Sequence, residues 1–191
     1  MRKTSKIRKT REVTVKASVN LDGRGKSVIS TDISYLDHML TLLSYHSLID
    51  INLKAEGDLI HHAAEDIAIC LGETISKAIG KNPRILRFGS SIVPMDDALA
   101  LVSIDLGGRP FCALDFKIDK AGIEDMAGED IYHFVKSFSD ALKANIHARI
   151  EYGDNDHHKV EAIFKGIALS LRRCLELDQM RSGSPSSKGV I

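Results

Sequence analysis

The sequence predicts an α+β fold: duplicated β/α half-domains forming two four-stranded sheets, with helices packed between them. Three observations predict it. Apolar periodicity switches between two residues and three-to-four residues in the same order twice along the chain. Comparable breaks interrupt each copy, Glu56-Gly57-Asp58 in one and Gly153 to Asp156 in the other. Histidines recur at matching places in both copies. The first repeat takes residues 1–93 with a basic N-terminal arm, and the second takes 94–191 with a C-terminal tail.

Met1 to Arg11 is rich in Lys and Arg and no apolar stretch follows it, so it reads as a mobile or partner-docked arm rather than a signal peptide or anchor. Val13, Val15, Ala17 and Val19 then alternate with polar residues as a strand. Leu21-Asp22-Gly23 supplies a turn, and Ser27 to Ile33 can return as a second strand. Leu36, Met39, Leu40 and Leu43 fall at helical spacing. Leu48 to Ala55 is again a strand, and Ala64, Ile67, Ala68, Leu71, Ile75 and Ala78 form the stripe of a second helix, which Gly80 and Pro83 end.

An additional strand, Ile85 to Val93, opens the second copy. Ala98 to Asp105 and Pro110 to Ile118 read as a strand pair across a Gly107-Gly108 turn, Ile131 to Leu142 as a helix and Asn145 to Tyr152 as a strand. A long helix starts at His157, with Val160, Ile163, Phe164, Ile167 and Leu171 as its buried stripe.

Composition narrows the function classes. Of 191 residues, 43% are hydrophobic and 27% charged, and Lys+Arg balances Asp+Glu at 26 each. No net field therefore favours nucleic acid or an acidic membrane, and an anionic ligand has to be held by local groups. Cys70, Cys112 and Cys174 lie in apolar-periodic segments without the spacing of a disulfide framework or a zinc ribbon, which fits a reducing cytoplasm.

The chemistry concentrates in two helix starts, His61-His62-x-x-Glu65 and His157-His158-x-x-Glu161. Residues four apart share a helix face, whereas neighbours point about 100° apart. His61 and Glu65 can therefore converge on one ion while His62 faces another, and His157, Glu161 and His158 repeat the pattern. A single such pair is ordinarily a solvated helix start with a dipole-compensating acid; two copies at matching places point to metal. A lone histidine precedes each, His38 ahead of His61 by 23 residues and His133 ahead of His157 by 24. The inventory supplies two ions with three His and one Glu each. Such nitrogen-rich ligation suits manganese, iron, zinc or cobalt rather than calcium or magnesium. His46 and His147 stay open between ligand support, substrate contact and core packing. Arg87, Arg109 and Lys188, with tail hydroxyls, are natural partners of a phosphate.

Several motifs occur in order: Leu36-Asp37-His38-Met39-Leu40, His61-His62-Ala63-Ala64-Glu65-Asp66, Arg87-Phe88-Gly89, Pro94-Met95-Asp96-Asp97-Ala98-Leu99-Ala100, Gly108-Arg109-Pro110, His157-His158-x-x-Glu161-Ala162-x-Phe164-Lys165 and Pro185-Ser186-Ser187-Lys188-Gly189. From Arg8 to the C-terminus the chain thus resembles the imidazoleglycerol-phosphate dehydratases of histidine biosynthesis. The resemblance implies a ribosomal protein S5 domain 2-like fold in each half, loss of water from imidazole glycerol phosphate, and two Mn2+ per active site, with other divalent transition metals possible. It also implies a homo-oligomer of 24 subunits, and the divergence of His61 from His62 suggests sites shared between them. Metal ligands would be His38, His61, His62, Glu65, His133, His157, His158 and Glu161. Phosphate contacts would fall on Arg87, Arg109, Ser186 and Lys188 with Ser187 beside them, further substrate contacts on Glu12, His38 and His46, and proton transfers on Glu12, Glu65 and Glu161. The chain departs from the family in having Asp32, Tyr35 and Leu42, and in a shortened loop, Gly57-Asp58-Leu59-Ile60.

Overall fold

A computed structural model describes residues 2–81, 84–119, 122–180 and 183–186. In chain order the elements are β1 (Lys3–Lys9), β2 (Val13–Asn20), β3 (Ser27–Ser30), α1 (Ser34–Ser47), β4 (Asp50–Gly57), α2 (Ile60–Ile79), β5 (Phe88–Met95), β6 (Ala98–Asp105), β7 (Phe111–Asp115), α3 (Gly128–Leu142), β8 (Asn145–Tyr152) and α4 (Asp156–Leu175). They form two four-stranded sheets of identical topology, β1-β2-β4-β3 and β5-β6-β8-β7.

The period-two pattern is the reason each sheet has a wet face and a dry one. Val13, Val15, Ala17 and Val19 of β2 are buried, as are Ile51, Leu53 and Ala55 of β4; Ala100, Val102, Ile104, Ile146, Ala148 and Ile150 repeat this in the second sheet. The helices cover those inner faces, α2 lying on β2 and β1 and α4 on β5 and β6. Between the sheets α2 packs on α3, and α1 packs on α4, so the two repeats share one apolar core. Full burial of one Ile or Leu contributes about 1.5–3 kcal/mol, which makes this shared layer the main source of stability.

Two glycines permit the close approach. A Cβ on Gly72 of α2 would lie 2.8 Å from that of Ala141 on α3, and one on Gly166 of α4 would lie 2.6 Å from Cγ2 of Val102 on β6.

Three sequence expectations need correction. The basic arm is not free: Lys3 to Lys9 pair antiparallel with Asn20 to Thr14, so β1 is the first-repeat counterpart of β5, which read as an additional strand. Alternation in Ile7 and its neighbours was masked by the run of charges. Nor do the strand pairs expected across the Leu21-Asp22-Gly23 and Gly107-Gly108 turns form. Instead β4 inserts between β2 and β3, and β8 between β6 and β7, the inserted strand running antiparallel to the first and parallel to the second. Each β3–α1–β4 and β7–α3–β8 segment is thus a crossover whose helix covers the sheet, an arrangement that local alternation does not distinguish from a hairpin. Finally, β5 pairs with β6 along its whole length, so a division at 93/94 runs through a strand of the second sheet.

The duplication extends to the turns. Helices α1 and α3 both end on a left-handed non-glycine residue, Leu48 at φ 61° and Lys143 at φ 60°. In both, a buried serine hydroxyl on the last turn donates to the carbonyl five residues on, Ser44 to Ile49 at 2.7 Å and Ser139 to Ala144 at 2.9 Å. Those bonds hold a backbone conformation that L-residues adopt only at a cost of about 1–2 kcal/mol. Among the described residues no helix is long and apolar enough to cross a membrane.

Candidate metal centre

Because α1 packs on α4 and α2 on α3, each lone histidine meets the histidine pair of the other repeat. His38 joins His157 and Glu161; His133 joins His61 and Glu65; within each group the candidate ligand atoms all lie within 4.8 Å of one another. This crossing is the structural consequence of fusing the two repeats face to face.

In the first group Nε2 of His38 and Nε2 of His157 lie 2.9 and 3.2 Å from Oε1 of Glu161, while Lys165 Nζ donates to Oε2 at 2.6 Å. Burial of Glu161 opposes its ionisation, but the Lys165 ammonium and the two histidines outweigh burial and hold the carboxyl at about 2. It is thus an anion at any physiological pH. His157 Nδ1 is bonded to Glu124 at 3.0 Å. In the second group Nδ1 of His61 lies 2.6 Å from Oδ1 of the buried Asp130, and the rings of His61 and His133 are 4.9 Å apart. His133 Nδ1 is buried without a hydrogen-bond partner among the described residues.

His62 and His158 diverge from these groups, as their neighbouring positions require. His62 Nδ1 faces Asp58 at 3.0 Å and Glu12 at 3.8 Å; His158 Nδ1 faces Asp97 at 2.5 Å, and its Nε2 faces Asp96 at 3.5 Å. The hydrogen bond that His62 donates to Asp58 raises it above the usual imidazole value, and the bond to Asp97 does the same for His158. Asp97 in turn is held well below the usual carboxylate range by the backbone N–H of Asn155, by His158 and by the N–H of Asp154. Asp58 comes from the shortened loop.

The donor set fits a divalent transition metal. Each group offers two imidazoles and one carboxylate, which is the mixed N/O ligation that manganese, iron, zinc or cobalt take and that oxygen-preferring calcium and magnesium do not. The partnerless nitrogen of His133 is a lone pair or N–H whose burial is costly until something meets it.

The other expected residues are less gathered. His46, on the last turn of α1, is lowered by burial and by the Lys165 ammonium, which puts it on the Glu161 side; His147 lies exposed on β8, its ring 5.5 Å from that of Phe111. Arg87 binds Asp105 with two bonds, at 2.6 and 2.9 Å, and reaches the Pro185 carbonyl in the tail at 3.3 Å. Arg109 is exposed, its carbonyl accepting from Asn145 Nδ2. Ser186 is half-buried, and Ser187 and Lys188 lie outside the described residues. The cations flank the Asp105 end of β6, whereas Asp97 and His158 flank its Ala98 end. The seven residue-to-residue steps of extended chain between those ends span roughly 23 Å, far more than a small phosphorylated imidazole spans. A concavity of about 690 Å³ lined by Glu73, Lys77, Asp140 and Lys143 holds none of the histidines.

Two contributors escaped the sequence reading. Lys165 and Asp97 stood inside motifs without a role, although the duplication could have found Asp97: it precedes β6 as Glu12 precedes β2, and each faces the second histidine of a pair.

The comparisons with known proteins agree with this geometry. The family model described as imidazoleglycerol-phosphate dehydratase matches residues 31–171. The imidazoleglycerol-phosphate dehydratase of Dehalococcoides mccartyi is 43% identical over 185 residues, covering 96% of this chain and 94% of its own. The Staphylococcus aureus enzyme of that name superposes with a TM-score of 0.84 at 31% identity, covering 92% of this chain and 99% of its own. The Pyrococcus furiosus enzyme, solved as a complex, gives 0.85 at 36%, covering 97% and 100%. With the duplicated fold, the crossed histidine groups and these matches over nearly its whole length, the chain belongs to the imidazoleglycerol-phosphate dehydratase family.

Proposed function

We propose that the chain dehydrates D-erythro-imidazole glycerol phosphate to imidazole acetol phosphate in histidine biosynthesis, as a cytoplasmic enzyme that depends on two Mn2+ or related divalent ions per active site. The observation that carries this is the pair of crossed His-His-Glu groups, His38–His157–Glu161 and His61–Glu65–His133. Each is one imidazole short of three His and one Glu, and the two left over, His62 and His158, diverge from the groups toward Asp58 and Asp97. The long separation between the histidines and Arg87 or Arg109 argues in the same direction. A homo-oligomer, 24 subunits by family resemblance, is therefore proposed to complete each site from neighbouring copies.

The ions, when bound, would grip the substrate's imidazole and make its ring N–H more acidic. The chain's own residues supply the rest. Arg87, Arg109, Ser186, Ser187 and Lys188 hold the phosphate, the guanidinium forks matching its oxygens. Asp105 keeps Arg87 extended toward the tail. His38 and His46 line the imidazole end. Glu65 and Glu161, taken up as ligands, lose basicity, so Glu12, exposed at 3.8 Å from His62, is the carboxylate best placed to move the proton from the carbon between the hydroxyls.

The test is turnover by the purified chain loaded with Mn2+, following ketone formation and phosphate release in parallel. Ketone formation without phosphate release supports the reading. Phosphate release alone would make the protein a two-metal hydrolase, and neither product would leave it without this activity.

A further inference from the structure

The duplication makes the two metal groups comparable position by position, and they are unequal. Three residues before each lone histidine stand Tyr35, before His38, and Asp130, before His133. Both pack on the leading histidine of the other repeat's pair. Tyr35 does so with its ring, 5.2 Å from that of His157. Asp130 does so with its carboxylate, 2.6 Å from Nδ1 of His61. Four residues after each glutamate stand Ile69, after Glu65, and Lys165, after Glu161. Lys165 is tied to Glu161 at 2.6 Å, and an isoleucine offers no such cation.

Asp130 has a bland alternative role, since an acid in a first turn compensates the helix dipole. Its environment argues for more. It is 7% exposed, α3 has no side-chain cap bond, and the carboxylate is spent across the interface on His61. The corresponding acid on the other side, Glu124, reaches His157 from a turn residue with φ 55°, and its side chain is 58% exposed.

We infer that Asp130 is a positioning residue for His61, and that it makes the His61–Glu65–His133 group the tighter, first-filled of the two divalent-metal sites. The inference rests on the reading of these groups as metal sites. By accepting the Nδ1 proton, Asp130 leaves the Nε2 lone pair of His61 as the ligand and increases its donor strength, and it fixes the ring plane. Its buried charge adds attraction for a dication that solvent screens little. Arg8, the nearby cation on that side, is already bonded to Asp66 at 2.7 Å. In the other group the ion has to displace Lys165 from Glu161 and then sit beside an ammonium.

The experiment is a Mn2+ titration of chelator-stripped full-length protein, reading free Mn2+ by electron paramagnetic resonance. Two phases are expected for the unsubstituted chain. Asp130→Asn, which keeps the shape and a hydrogen-bond acceptor but not the charge, should weaken the tight phase about 10-fold, and Asp130→Ala toward 100-fold. The weak phase should stay within about 2-fold in both, whereas Glu124→Gln should leave the tight phase unmoved. A general folding defect would shift both phases together, and that result, or a tight phase unchanged in both Asp130 variants, overturns the inference. So does a single phase of equal sites in the unsubstituted chain. If that chain binds no Mn2+ at all, the metal reading itself falls and takes this inference with it.

Discussion

Nε2 of His38, on the first repeat, lies 2.9 Å from Oε1 of Glu161, 123 residues later on the second. His133 and the His61–Glu65 pair make the reciprocal contact. Neither repeat therefore owns a candidate metal group, and the α1–α4 and α2–α3 packing that stabilises the core also gathers its residues.

Single substitutions should separate the groups. His38→Ala should remove one of two bound metal equivalents, and His133→Ala the other, each with loss of nearly all turnover. Metal content by mass spectrometry after gel filtration reads this directly. Retention of both equivalents in either variant would mean that the lone histidines are not ligands.

The packing should be coupled to the site through Gly72. A Val there drives its side chain into Ala141 and the Phe138 carbonyl, forcing α2 from α3. Overpacking of this kind costs about 1–3 kcal/mol. Gly72→Val should lower the melting temperature and weaken metal binding at His61–Glu65–His133 more than at the other group.

Asp50 gives a pH signature away from the histidines. Its carboxylate is held below the usual range by the N–H of Arg24, with the Asn20 amide and the N–H of Lys26 assisting against burial. A depressed folded value means that its contribution is present above the unfolded value of about 3.9 and lost as pH falls through the folded value. Asp50→Ala should therefore destabilise the fold more at pH 7 than at pH 3. Urea unfolding of both chains at equal protein concentration checks it.

Substituting Arg109 or Lys188 by Ala should raise KM about 10- to 100-fold with a smaller change in kcat, because phosphate is bound alike in ground and transition states. Steady-state kinetics decide the matter. An unchanged KM in both variants would remove the tail and the Gly-Arg-Pro turn from the substrate site.

Much of this was legible in the sequence. Helical stripes such as Ala64 to Ala78 placed α2 and α4, and four-residue spacing put His61 with Glu65 and His157 with Glu161. Strand order was not legible, since alternation marks a buried face without naming the neighbour, and β4 displaces the expected hairpin partners. β1 was hidden because its charged residues sit on an edge strand. The crossing of His38 and His133 between repeats follows from helix packing, which no local pattern encodes. Asp130 had no place in the sequence reading, because the partner that gives it one lies 69 residues away.

The most direct test of the central claim is a crystal structure of the protein grown with Mn2+, with ions located by anomalous scattering. The account predicts one ion at His38, His157 and Glu161 and one at His61, Glu65 and His133, with His62 and His158 of adjacent subunits completing them. Ordered protein whose eight ligand positions show no anomalous peak at saturating Mn2+ would contradict it.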